Sequence, residues 1–172
     1  MAKTIGEKRL LRNIETRKKL WPDLSSKLIW NWKTQKGFGT IPRTLPYFFK
    51  IMNDLSIGKP VSSTYFALWA RLWDQSGLLK IRNAEELAWE SGFTKKRAVD
   101  TWRSRMKILE ELGFIKSQPL GTELYGYIFI VNPYQVLKEL KTNKKYDDQG
   151  WMNALMERVD NLQVIESDDD DD

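Results

Sequence analysis

Neither cysteine nor histidine occurs anywhere in the 172 residues. Their absence removes disulfides, thiolate nucleophiles, thiolate and imidazole metal ligands, and the commonest general base. Carboxylates alone remain for acid–base work, and no pair of acids falls in a pocket-forming context. Nor does a glycine loop offer to cradle a phosphate: Gly37-Phe38-Gly39 lacks both the Walker lysine and the dinucleotide spacing. An enzyme is therefore not expected, and neither is a cofactor or a metal. No apolar run approaches the roughly 20 residues needed to span a bilayer, and no secretory signal is visible. A cytoplasmic protein with no membrane partner is the expectation.

What the chain does hold is core material and an uneven charge. Hydrophobic residues make up 41% and include 8 Trp, 7 Phe and 6 Tyr, which excludes wholesale disorder. The length suits one globular domain with extensions. The net charge of +5 hides a division: residues 147–172 carry ten acids and one base, leaving +14 on residues 1–146. A body that basic is drawn to phosphate backbones, with salt-dependent affinity.

The segment Thr94–Leu112 (TKKRAVDTWRSRMKILEEL) organises the rest. With Thr94 as N-cap, Ala98, Val99, Trp102, Met106, Leu109 and Leu112 fall on one helical stripe. The opposite face carries Lys96, Arg97, Asp100, Arg103, Ser104 and Lys107. Lys95, Lys96 and Arg97 then occupy the first turn, where each exposed cation costs roughly 0.3–1 kcal/mol against the helix dipole. Such a helix makes sense if a polyanion approaches that end. Arg105 falls inside the apolar stripe, so it either snorkels toward an acid or phosphate or distorts the helix.

Upstream, Asn83 and Glu86 have capping-box spacing, and Gly92 ends a short helix. Helix, glycine turn and a second helix with a basic face form a helix-turn-helix pattern. Downstream, Gly113 breaks the second helix. A strand over 114–117, a loop over 118–126 and a strand over 127–131 form a β-hairpin. A helix over 63–75 and the strand candidate Leu78-Leu79-Lys80-Ile81 precede the pair. On this order, and on the run LEELGFI, the segment Leu78–Val131 resembles the winged helix-turn-helix superfamily, notably bacterial, plasmid and phage regulators and replication proteins. The resemblance implies a DNA-reading second helix, although winged helices also serve as protein-docking modules. The expected fold class is mainly α with a small β-hairpin, flanked by N- and C-terminal helical extensions. The hairpin loop departs from the family pattern: Glu123 is its one charge, leaving Lys116 as the only base nearby.

Around this centre the expected organisation is a basic arm and aromatic loop over 1–43, a winged-helix domain over 44–140 and a linker over 141–150. A C-terminal helix over 151–166 and an acidic tail over 167–172 follow. The first 36 residues hold ten Lys/Arg against three acids, and Thr4–Leu20 reads as a basic amphipathic helix. It suits an arm on DNA, a helix on a partner subunit or a mobile terminus; its apolar face is thin for a membrane-surface helix. Trp30, Trp32 and Phe38 alternate with Lys33, Lys36 and Arg43, which are possible phosphate contacts. Those aromatics suit loop anchoring, or stacking on single-stranded nucleic acid. A helix over 44–55 takes Thr44 as N-cap, and Ser62 or Ser63 caps the next. Trp151, Leu155, Val159 and Leu162 form a short heptad-like seam fit for fold-back or for a homodimer through terminal helices.

The function expected is sequence-specific binding of double-stranded DNA, as a transcriptional regulator or a replication or partition accessory of a mobile element, with nucleoid association. Thr94, Lys95, Lys96, Arg97, Asp100, Arg103, Ser104, Lys107 and Lys116 are the DNA-binding candidates. The competing expectation is a winged-helix interaction module whose basic surface docks an acidic partner protein.

Overall fold

A computed structural model describes residues 4–25, 28–29, 39–72, 76–143, 145–146 and 149–167. Trp30, Trp32, Lys33, Lys36 and Phe38, with the acidic run 168–172, lie outside the described residues. The chain divides into two compact units, Met1–Phe38 with Asn153–Asp172, and Gly39–Met152.

In the first unit, α1 (Ile5–Leu20) starts from a reciprocal capping box. Thr4 Oγ1 accepts from the Glu7 amide and the Glu7 carboxylate accepts from the Thr4 amide, both at 3.2 Å. Arg17, Lys18 and Lys19 crowd its last turn, where the helix dipole favours cations. The helix exposes Leu10, Leu11 and Leu20.

The second unit runs α2 (Leu45–Leu55), α3 (Ser62–Ala70), β1 (Leu78–Lys80), α4 (Ala84–Glu90), α5 (Ala98–Glu111), β2 (Ile115–Leu120), β3 (Glu123–Ile130) and α6 (Pro133–Thr142). It is mainly helical with one small three-stranded antiparallel sheet of order β1-β3-β2. The core gathers Phe48, Met52, Tyr65, Leu68, Leu87, Trp102, Met106, Leu109, Phe114 and Ile128, each with no exposed surface. Each such side chain contributes about 1.5–3 kcal/mol of burial. Aromatic edges lock the layers: Tyr65 meets Phe114 at 5.6 Å between centroids, and Trp102 meets Tyr125 at 5.9 Å. The helix α7 (Gln149–Ser167) has its first residues in this unit, where Trp151 packs edge-on against Tyr47 at 6.2 Å. That contact explains why the compact unit extends past the linker expected at 141–150.

Two expected caps are corrected. Thr44 stands at the start of α2 without capping it; its hydroxyl instead pairs with the Tyr134 hydroxyl at 2.6 Å, joining α2 to α6. Neither Ser62 nor Ser63 caps α3. Asn53 on α2 does so from eight and nine residues away, its Oδ1 accepting the Val61 and Ser62 amides at 2.9 and 3.1 Å. The helix also ends earlier than expected, at Ala70. The next residue, Arg71, turns to α4 and grips Glu90 through Nε and Nη2 at 2.7 and 2.6 Å, with Glu86 at 2.8 Å. The Glu90 bond, then Glu86, raises the guanidinium pKa further above its ordinary value in spite of partial burial.

The hairpin is tighter than a Gln118–Gly126 loop. Leu120 pairs with Glu123, so only Gly121 and Thr122 form the turn. A register shift between Gln118 and Leu120 absorbs the surplus residues of β3. There the Leu120 backbone crosses Gly126 so closely that a Cβ on Gly126 would lie 2.5 Å from Leu120 N and 2.8 Å from its Cα. Leu79, Ile115, Ile128 and Ile130 face inward, and alternation turns their neighbours outward.

Candidate functional site

The site is built on α4, the turn after it, and α5. Asn83 Oδ1 accepts the Glu85 and Glu86 amides at 3.0 and 3.4 Å, which starts α4 where its sequence signal placed it. Ala84, Leu87 and Ala88 bury its inner side. The end is a Schellman motif: Phe93 N–H donates to Ala88 C=O and Gly92 N–H to Trp89 C=O, both at 2.9 Å. Gly92 stands at φ +89°, a conformation that a side chain resists. A bend this sharp aims the following residues away from α4.

The beginning of α5 differs from expectation. Thr94 does not cap it; the helix opens at Ala98, with Arg97 in the N-cap position and no side-chain cap. Residues 94–97 form a turn closed by Ala98 N–H to Lys95 C=O at 2.8 Å. The helix dipole supplies the reason. Inside a first turn, Lys95, Lys96 and Arg97 would each oppose it, whereas the later start places Asp100 there instead. The cations now ring the N-terminal end from outside. All three are exposed, and none has an ion-pair partner among the described residues. A helix N-terminus with free amides and unpaired cations around it favours an anion.

Further along α5 the charges are engaged. Arg103 Nη2 lies 3.3 and 3.4 Å from the two carboxylate oxygens of Glu123 at the hairpin. Lys107 pairs with Glu111 at 3.8 Å. Glu110 accepts from Ser117 N at 3.0 Å and Ser117 Oγ at 2.6 Å, tying α5 to β2. Arg105 does leave the apolar stripe, but for a backbone carbonyl instead of an acid: its Nε donates to Pro60 at 3.0 Å and its guanidinium lies 5.8 Å from the Phe93 ring. The helix stays regular. Trp102, Met106 and Leu109 are its buried ridge.

Of the residues singled out by sequence, Thr94, Lys95, Lys96, Arg97, Asp100, Arg103, Ser104 and Lys107 share the turn and outer side of α5, with Ser104 and Arg103 half-buried. Lys116 stands apart. It adjoins Ser117, which bonds inward to Glu110, so alternation directs Lys116 to the opposite face of the sheet. Arg43 is exposed ahead of α2, with no ion pair among the described residues. Lys33 and Lys36 fall outside the described residues.

Three residues were missed. Trp89 on α4 is 69% exposed and, with Glu85, Phe93, Lys95, Lys96 and Val99, lines an open cleft of about 440 Å³. The available signal was a tryptophan among Glu85, Glu86 and Glu90 on the polar side of an amphipathic helix. Lys80 and Arg82, at the end of β1, share a shallow depression of about 340 Å³ with Thr122 and Glu123 at the hairpin turn. Arg82 adds positive charge beside a hairpin turn that has none, while the Lys80 ammonium lies over the Tyr127 ring, 5.7 Å from its centroid. No local pattern announces them, because strand pairing across some forty residues makes them neighbours.

Among the described residues no cluster of acids has metal-binding geometry, and no helix is long and apolar enough to cross a membrane. The chain matches no family model, no curated protein and no solved structure.

Proposed function

We propose that this protein is a winged helix-turn-helix protein that binds double-stranded DNA, with the N-terminal end of α5 directed into the major groove. The order α3-β1-α4-α5-β2-β3 and the sheet order β1-β3-β2 support the superfamily reading. One observation carries the DNA reading: Lys95, Lys96 and Arg97, exposed and without an ion pair among the described residues, at the amino end of a helix whose outer side is open. Asp100, Arg103, Ser104 and Lys107 follow along the groove-facing side, the region that reads base edges in helix-turn-helix proteins. Arg82 beside Thr122 supplies the second backbone contact. Sequence specificity, and a role as regulator or as replication or partition accessory of a mobile element, belong to the same proposal.

Two copies would suit a two-fold operator. Trp151 and Leu155, half of the expected seam, are half-buried and buried within one chain. Pairing would therefore draw on α1, with Leu10 and Leu20 at 59% and 62% exposure. The second reading, docking of an acidic partner protein, is favoured by the exposed Trp89 beside Lys95 and Lys96.

The test is anisotropy of a labelled mixed-sequence duplex between 50 and 200 mM salt, with selection of bound duplexes from a random pool. Each phosphate contact contributes about 0.9 to the slope of log K against log salt. Lys95→Ala/Lys96→Ala/Arg97→Ala should flatten that slope by about 2–3. Duplex binding with an unchanged slope in this variant, or no duplex binding at 50 mM salt, refutes the proposal.

A further inference from the structure

The outer face of the sheet turns away from α5 and has a composition of its own. Strand register sets Leu78, Phe129 and Lys116 side by side in one row, and Lys80, Tyr127 and Gln118 in the next. Two aromatic rings therefore stand at i and i+2 on the central strand, roughly 7 Å apart along it. A lysine flanks them at either edge, and none of the six residues is acidic. Phe129 is 44% exposed and Leu78 53%. Lys80 Nζ hovers 5.7 Å from the Tyr127 centroid, while Lys116 has no ion-pair partner among the described residues.

Leu78, Tyr127 and Phe129 form one contiguous apolar patch with a lysine on either side, and a polar-rimmed apolar patch marks a binding surface. A second copy fits poorly, because stacking this acid-free face on itself sets lysines against lysines with no carboxylate between them. An anion with flat apolar faces fits both features. We infer that this face binds single-stranded nucleic acid, with neighbouring unpaired bases stacked on Tyr127 and Phe129 and their phosphates met by Lys80 and Lys116. Stacking platforms of this kind tolerate any base and act through cations at their margins. Lys80 moves from the Tyr127 ring to a phosphate as a base takes its place. None of the α5 cations takes part, so this surface stands or falls separately from duplex binding.

The full chain is titrated with labelled dT15, rU15 and a duplex of matched charge. Phe129→Ser and Tyr127→Ser should each weaken single-strand binding about tenfold. Lys116→Gln, at an exposed position, should weaken it severalfold and flatten its salt slope by about 0.7. Duplex binding should stay within about twofold of wild type in all three, while Lys95→Ala/Lys96→Ala/Arg97→Ala should spare the single strands. The dT15 and rU15 arms tell DNA from RNA. No single-strand binding at 50 mM salt overturns the inference. So does binding that ignores Lys116→Gln and both serine variants, or a sedimenting dimer that Phe129→Ser dissolves. An acidic polypeptide such as polyglutamate binding this face as tightly as dT15 would also overturn it, by removing any role for the bases.

Discussion

Glu123 sits amid cations, and replacing it with glutamine should strengthen DNA binding. Its carboxylate, only 15% exposed, holds Arg103 at 3.3 Å, and Lys80 and Arg82 border the same depression. Glutamine keeps the shape and an acceptor for Arg103 but removes the charge. The fold should tolerate the change, because Arg103 is itself 39% exposed and keeps a carbonyl acceptor, although a pair with one partner this buried is worth more than the roughly 0.2–1 kcal/mol of a surface pair. The DNA complex should gain. A phosphate bound on the far side of the Arg103 guanidinium would lie about 8 Å from the carboxylate, a repulsion of about 0.5 kcal/mol at bulk dielectric and about 2 kcal/mol at an effective dielectric near 20. Affinity at 50 mM salt should therefore rise by about 2- to 30-fold. One more cation freed for a phosphate steepens the salt slope by about 0.9, an extra loss of about 3.5-fold between 50 and 200 mM salt. The assay is duplex anisotropy on wild type, Glu123→Gln, Arg103→Ala and the double variant, each checked by thermal melting. Arg103→Ala should weaken binding, and the double variant should lose most of the gain, because the gain runs through Arg103. A Glu123→Gln protein that melts normally yet binds with unchanged affinity and slope would show that Arg103 buttresses the hairpin and never meets DNA.

Three further outcomes are expected. Gly126→Ala should cost about 3 kcal/mol or more by denaturant unfolding, because the new methyl meets Leu120 backbone atoms that cannot swing aside; a variant within 1 kcal/mol of wild type would refute that crossing. Asn53→Ala strips the cap from α3 and should cost about 1–2 kcal/mol, while Ser62→Ala and Ser63→Ala cost less. Burial pushes the Tyr65 hydroxyl up to about 12, with the Trp69 side chain pulling the other way. A raised folded-state pKa leaves stability whole below pH 10 and erodes it as pH climbs toward 12, by about 3 kcal/mol at full ionisation. Urea midpoints across that window should fall for wild type and flatten in Tyr65→Phe, with burial of Tyr125 supplying a residual slope of the same sign.

What the sequence makes legible, and what it hides, follows the distance over which each interaction acts. Asn83, Gly92 and Gly113 act within a turn of their own helices, and the elements they bound appear where local chemistry puts them. The cap on α3 depends on a residue of another helix, so a serine at the nearest position looked sufficient. The start of α5 at Ala98, past the capping signal at Thr94, has a different cause. Thr94 has good capping chemistry, but its use would draw Lys95, Lys96 and Arg97 into the positive end of the dipole, and three penalties of about 0.3–1 kcal/mol together outweigh a capping preference of about 1 kcal/mol. The same move defines the candidate site. By waiting until Ala98 to begin, the helix leaves its cations ahead of its first turn, where their side chains can reach an anion approaching the positive end of the dipole. Placing Arg103 against Glu123 and Lys80 beside Tyr127 requires the sheet register, which follows from a hairpin whose turn is only Gly121-Thr122. A reading that takes Gln118–Gly126 as loop cannot derive either pair. Charge content alone suggests a phosphate partner; the fold then divides that charge between two surfaces, a helix end whose cations have no carboxylate partner among the described residues and a sheet face carrying aromatic rings. The two surfaces share no α5 cation, so the duplex and single-strand roles proposed for them are separable by mutation.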